Sequence, residues 1–139
     1  MLVSAAELPD VGPLPANATA RRFVPHGLVL PSAAVTVTHC GHGTVTASFA
    51  HGVPIVGLPN PVADQPFLAG RVQQLGAGLA LDGEARPEAI AAAVQEVLGH
   101  PSYKEAACRL ADAIRAAPGP AGAAVELEHL APTGSTMAR

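Results

Sequence analysis

Short runs of branched apolar residues alternate with longer segments whose apolar positions recur at helical spacing, and this alternation predicts the elements of the chain. Leu2 to Ala5 reads as a strand, and the proline-punctuated stretch from Glu7 to Pro15 as a surface loop. Arg21 to Pro25 reads as a second short strand ended by Pro25-His-Gly27, and Leu28 to Pro31 as a brief turn or helix. Val35 to Thr38 is a β-branched strand that runs into a glycine-rich turn. The segment from Thr44 to Ala50, free of proline and glycine, puts Val45 and Phe49 on one helical face, and Gly52 with Pro54 stops it. Pro54 to Leu58 is apolar at every position, as a parallel strand covered on both faces should be.

Asp64-Gln65-Pro66 then opens a helix with Leu68, Val72 and Leu75 on one face, closed by Gly76, and Gly78 to Leu81 forms a last short strand. A helix from Pro87 carries Ile90, Val94, Val97 and Leu98. A second, over about 102–116, places Ala107, Leu110 and Ile114 inward, and a third covers about 121–130. Strands separated by helices predict an α/β fold, a Rossmann-like parallel sheet flanked by helices. An α/β domain rarely starts on a central strand, so the strand at residue 2 predicts that the first βα unit is lacking.

Composition narrows the function classes. The 139 residues are 49% hydrophobic but only 3% aromatic, so a single domain with a core of Ala, Val, Leu and Ile is expected over residues 1–139. Eight Lys and Arg against eleven Asp and Glu, without a basic run, argue against nucleic acid and anionic membrane as partners. The apolar runs fall short of the roughly 20 residues of a membrane span, and no basic region precedes Leu2 as in a signal peptide, so a cytoplasmic location is expected. Cys40 and Cys108 lie far apart and read as reduced thiols. His39, Cys40 and His42 lack a second ligand cluster, so no metal is expected.

The chemistry concentrates in Thr38-His-Cys-Gly-His-Gly-Thr44, between strand and helix. A helix start offers unpaired amides and a positive dipole end. Gly41 and Gly43 remove side chains that would hold an anion away from it, and His39 and Thr44 add donors at the rim. A Gly-x-Gly turn also occurs where packing alone demands it, so neighbouring motifs have to decide.

Those motifs are Phe23-Val-Pro-His26, the glycine turn, His51-Gly-Val-Pro54, Ala63-Asp-Gln65 and Leu75-Gly-Ala-Gly78. In that order, over about 23–81, the chain resembles the donor-binding domain of GT-B glycosyltransferases, and within them the natural-product enzymes of bacterial macrolide type. The resemblance implies half of a GT-B architecture, with the C-terminal helices over about 87–130 as its tail and the N-terminal acceptor domain absent. It implies that Phe23, Val24 and His26 hold the nucleobase. His39, Gly41, His42, Gly43 and Thr44 would bind the diphosphate, and Asp64 with Gln65 the sugar hydroxyls. A carboxylate accepts from two hydroxyls, while an amide both donates and accepts.

Plant relatives carry Trp and Gln where this chain has Phe23 and His26, and a ribose-binding Glu where it has Ala47, so a thymidine donor fits as well as a uridine one. The family's catalytic base is a His of the N-terminal domain that nothing here matches, so no catalytic residue is assigned within the chain. The expected partners are a nucleotide sugar, a small-molecule acceptor met through the other domain, and a second copy through self-association; no cofactor is expected. Two classes of function follow: the donor-binding part of a hexosyltransferase, or a non-catalytic donor-binding subunit that needs a separate partner chain. A dinucleotide-binding Rossmann site competes through Gly41-x-Gly43-x-x-Thr46, but Thr46 stands where the third glycine belongs and Asp64 lies beyond Pro59 and Pro61. Asp64 reads equally as a helix cap, His51 as a surface residue at a helix end, and His100 and His129 as solvated.

Overall fold

A computed structural model describes residues 1–4 and 13–130. Strand β1 (Leu2–Ser4) pairs in parallel with β2 (Thr19–Arg21), and a separate parallel sheet has the order β3-β4-β5, from Thr36–Thr38, Ile55–Gly57 and Gly78–Ala80. The expected single sheet is therefore split in two. Helix α1 (His26–Val29) and a 3-10 turn (Leu30–Ser32) lead into β3. Helix α2 (His42–Ala50) follows β3, and α3 (Gln65–Gln74) joins β4 to β5. Helices α4 (Pro87–Gly99), α5 (Pro101–Ala116) and α6 (Gly119–Leu130) close the described chain.

β4 explains the layering. All three of its residues are buried, and its side chains alternate between two cores. Ile55 joins Val45 and Phe49 of α2, Ala69 and Val72 of α3, and Ala106 and Ala107 of α5. Val56 joins Ala93 and Val97 of α4 on the other face. Burying each such side chain contributes roughly 1.5–3 kcal/mol before entropy is counted, so the central strand needs helices on both faces.

Helix ends follow their sequence signals. Pro66, Pro87 and Pro101 sit in first turns, where a missing N–H costs no bond. Gly52 ends α2 with φ 64°. Its carbonyl accepts from Lys104 Nζ at 2.7 Å, which ties α5 to the negative end of the α2 dipole.

Several boundaries differ from the sequence expectation. The second strand is Thr19–Arg21 rather than 21–25, because Met1 O and the edge of β1 select that register and Pro25 opens α1 instead. Helix α2 starts at His42, two residues before Thr44, because Gly41 adopts the extended geometry of an N-cap and starts the helix itself. Leu75, Leu98 and Ile114 are exposed. Val72, Val97 and Ala107 are buried as expected, and beside them the inward positions are the small Ala69, Ala93, Ala106 and Ala111, which allow the backbones to approach closely. Ala5 and most of the loop expected over 7–15 lie outside the described residues.

Candidate functional site

Three residues carry the chain from β3 into α2. His39 leaves the strand exposed, Cys40 is fully buried with φ 63°, and Gly41 caps α2 at φ −61° and ψ 139°. A cysteine in the left-handed region costs on the order of 1 kcal/mol, so its surroundings must hold it there. Its thiol donates weakly to Thr38 O at 3.9 Å and occupies space left by Gly57, where a Cβ would come within 2.4 Å of the sulfur. Burial pushes the Cys40 thiol up, so it stays protonated at neutral pH. Buried Ser48 completes the anchor by donating to Thr36 Oγ1 at 3.1 Å, which fixes α2 on β3.

The consequence is a helix start with free donors. Thr44 N–H and Val45 N–H donate to Gly41 O at 3.0 and 3.1 Å. The N–H groups of His42 and Gly43 have no acceptor among the described residues, and no side chain caps the helix. A Cβ at Gly43 would meet nothing within 4 Å, whereas one at Gly41 would lie 2.6 Å from His39 Nε2. The imidazole therefore rests against Gly41, the residue that precedes the two open amides.

Of the residues singled out from the sequence, Val24, His26, His39 and Thr44 line one cavity of about 890 Å³. Phe23 is 79% exposed and lies outside that lining, as do Gly41, His42 and Gly43. Asp64 and Gln65 are not brought into it either. They follow β4, whose carboxyl end neighbours that of β3 in the sheet, and Ala63 turns the chain there with φ 52°. Asp64 stands exposed at the N-cap of α3, and its carboxylate makes no side-chain cap bond and no other hydrogen bond among the described residues. Gln65 Oε1 accepts from Asn60 N–H at 3.0 Å, so half of its amide holds the β4 loop and its NH₂ remains available.

Thr46 is exposed, while Val45, Ser48 and Phe49 face the sheet. The third position of the dinucleotide fingerprint is thus absent from the helix–strand contact that gives it meaning. His51 is exposed at the end of α2 and His129 in the last turn of α6. His100 is exposed too, with Nδ1 2.9 Å from Glu96 O and 3.2 Å from Glu96 Oε1. Among the described residues no three His, Cys, Asp or Glu side chains form a metal-ligating cluster, and no helix is long and apolar enough to cross a membrane.

Sequence reasoning missed the strained Cys40 and the anchoring of Gln65 on Asn60. The one signal for the former was Gly57, a lone glycine in a branched strand, which marks a close approach.

Residues 1–130 match the family model described as erythromycin biosynthesis protein CIII-like, C-terminal domain. The chain is 39% identical over 122 residues to a demethyllactenocin mycarosyltransferase of Streptomyces fradiae, covering 87% of this chain and 26% of that protein. It is 38% identical over 128 residues to a 3-alpha-mycarosylerythronolide B desosaminyl transferase of Saccharopolyspora erythraea, covering 91% and 30%. Among solved structures, the glycosyltransferase VinC in complex with dTDP superposes with a TM-score of 0.84 at 32% identity, covering 90% of this chain and 32% of VinC. The chain thus spans about a quarter to a third of these relatives.

Proposed function

Because the chain belongs to the family of erythromycin biosynthesis protein CIII-like C-terminal domains, we propose that it is the nucleotide-sugar-binding part of a glycosyltransferase. That enzyme would transfer a hexose from a dTDP- or UDP-sugar to a hydroxyl of a small natural-product acceptor. The observation that carries the reading is the start of α2 at the carboxyl end of β3, where the amides of His42 and Gly43 have no acceptor among the described residues and the His39 imidazole lies against Gly41. In open α/β sheets that edge is where ligands bind. A diphosphate seated there meets the dipole end and the His39 ring, and the same contacts stabilise it as it departs. The reading calls for no metal or cofactor.

Val24 and His26 share the cavity with His39 and Thr44, which supports a base near α1 and a diphosphate near the rim of α2 as parts of one site. VinC, solved with dTDP, supports a thymidine nucleotide. Asp64 and the free NH₂ of Gln65 would read the sugar hydroxyls from the neighbouring loop. Since Asp64 makes no cap bond, Asp64→Asn should leave the melting temperature unchanged and weaken the nucleotide sugar roughly 10- to 150-fold, the cost of one charged hydrogen bond. Affinity for the nucleoside diphosphate should not move; equal affinity of wild type and variant for the nucleotide sugar would remove Asp64 from the site.

The reading places the acceptor's base outside this chain. The purified chain should therefore bind a nucleotide sugar and transfer none of it to a macrolide aglycone or other acceptor, measured by product chromatography. Robust turnover by the chain alone would contradict it.

A further inference from the structure

Helix α3 is tied to the β3-β4-β5 sheet by two side-chain amides that bond backbone N–H groups. At its start, Gln65 Oε1 accepts from Asn60 N–H at 3.0 Å, in the loop that leaves β4. Near its end, Gln73 Oε1 accepts from Ala80 N–H at 3.2 Å, in β5. At 1.5 Å of rise per residue, the two glutamines stand about 12 Å apart along the helix axis.

The backbone pattern shows what Gln73 supplies. Leu81 N–H donates to Gly57 O and Ala77 O accepts from Ile55 N–H, so residues 77 and 81 bond the central strand. Pointing alternates along a strand, and Ala80 N–H is therefore directed away from β4, toward the outer side of a sheet in which β5 stands last. A donor on that side has no ladder partner, and the Gln73 oxygen takes its place.

The consequence for α3 is geometric. Buried Ala69 and Val72 press the helix onto the core, a contact without direction, whereas a hydrogen bond fixes an angle. A rigid helix bonded at one point can still turn about its axis, and a second bond far along its length prevents the turn. The bond at Gln73 thereby acts on the start of α3, where Asp64 and Gln65 stand. Just before them Ala63 holds φ 52°, a left-handed backbone that persists only where its surroundings keep it.

We propose that Gln73 is a positioning residue for sugar recognition: its bond to Ala80 sets the rotation of α3, and with it the placement of Asp64, Gln65 and the loop at Asn60. The role in sugar recognition rests on Asp64 and Gln65 reading the sugar hydroxyls. The role in placing α3 rests on the two amide bonds alone.

Four variants of the full chain test it: Gln73→Leu, Gln73→Glu, Gln74→Leu and Asp64→Asn. Amide hydrogen exchange is followed by NMR, and affinities for dTDP-glucose and dTDP by calorimetry. Glutamate keeps an acceptor for Ala80 N–H, while Gln74 spends its Oε1 on Arg71 Nη1 within α3, at 3.0 Å. Gln73→Leu should speed exchange at both Ala80 and Asn60 roughly 2- to 10-fold, the share of one neutral hydrogen bond. It should weaken dTDP-glucose by a similar factor and leave dTDP unchanged. Gln73→Glu should restore both properties, and Gln74→Leu should move neither.

Unchanged exchange at either amide in Gln73→Leu overturns the proposal, as do equal losses for dTDP-glucose and dTDP or a loss that persists in Gln73→Glu. An Asp64→Asn variant that weakens dTDP-glucose alone, beside a Gln73→Leu variant that does not, overturns it too. If Asp64→Asn leaves dTDP-glucose unchanged, the sugar role of Asp64 fails and that of Gln73 with it, while exchange at Asn60 still decides the placement of α3.

Discussion

Gly41→Ala should weaken binding of a nucleoside diphosphate roughly tenfold to 100-fold, although the backbone there, at φ −61° and ψ 139°, suits any residue. The glycine is needed for space: an added Cβ would lie 2.6 Å from His39 Nε2, and the ring must swing away from the open amides to admit it. His39→Ala should cost a similar factor, since a hydrogen bond to a charged group contributes roughly 1.5–3 kcal/mol. If Gly41 acts through His39, the two losses will not add. In a His39→Ala background the second substitution should be nearly silent, an interaction that a double-mutant cycle in binding calorimetry measures directly. Bare thymidine should bind all four proteins alike. Additive losses, or equal losses for nucleoside and diphosphate, would separate His39 from the phosphate site.

Gly78→Ala should have the largest effect on stability. A Cβ on Gly78 would lie 1.9 Å from Ile55 O and within 3 Å of the Ile55 carbonyl carbon and amide nitrogen, none of which can swing aside as a side chain can. β5 must then part from β4, the central strand, and with it goes the pairing of Ile55 with Gly78. Overpacking of this kind costs about 1–3 kcal/mol or more, which corresponds to a fall in melting temperature on the order of 10 °C for a domain of this size. Gly70→Ala gives the contrast. Its Cβ would meet nothing within 4 Å in the middle of α3, so it should stabilise by about 0.5–1 kcal/mol through helix propensity. Equal melting temperatures for the two variants in thermal unfolding would contradict the packing described for β5.

The elements whose signals are local were legible in the sequence. β4 could be read because every position of its run is apolar, and α2 because Val45 and Phe49 keep helical spacing; the three residues of β4 and this pair are buried. Pro66 and Pro87 were equally plain as helix starts, and the order of motifs led to the family the chain belongs to. What escaped is set by contacts between distant segments. The register of β2 depends on Met1 accepting from Thr19, and no propensity in residues 19–25 encodes that bond. The inward residues of α3, α4 and α5 are mostly alanines, which carry no periodic hydrophobic signal strong enough to outweigh Leu75, Leu98 and Ile114. Cys40 looked like an ordinary turn residue, and its left-handed backbone follows from the space that Gly57 leaves seventeen residues later. Asp64 read equally as cap or ligand, and the absence of a cap bond is visible only in three dimensions.

The central claim is that the start of α2 holds the diphosphate of a pyrimidine nucleotide. Isothermal titration of the intact chain with dTDP, UDP, thymidine and NADH tests it most directly. dTDP or UDP should bind at least about tenfold more tightly than thymidine, the share owed to the charged contacts at His39 and the free amides, and NADH should give no heat of binding. Binding of NADH with neither dTDP nor UDP, or thymidine binding as tightly as dTDP, would contradict it.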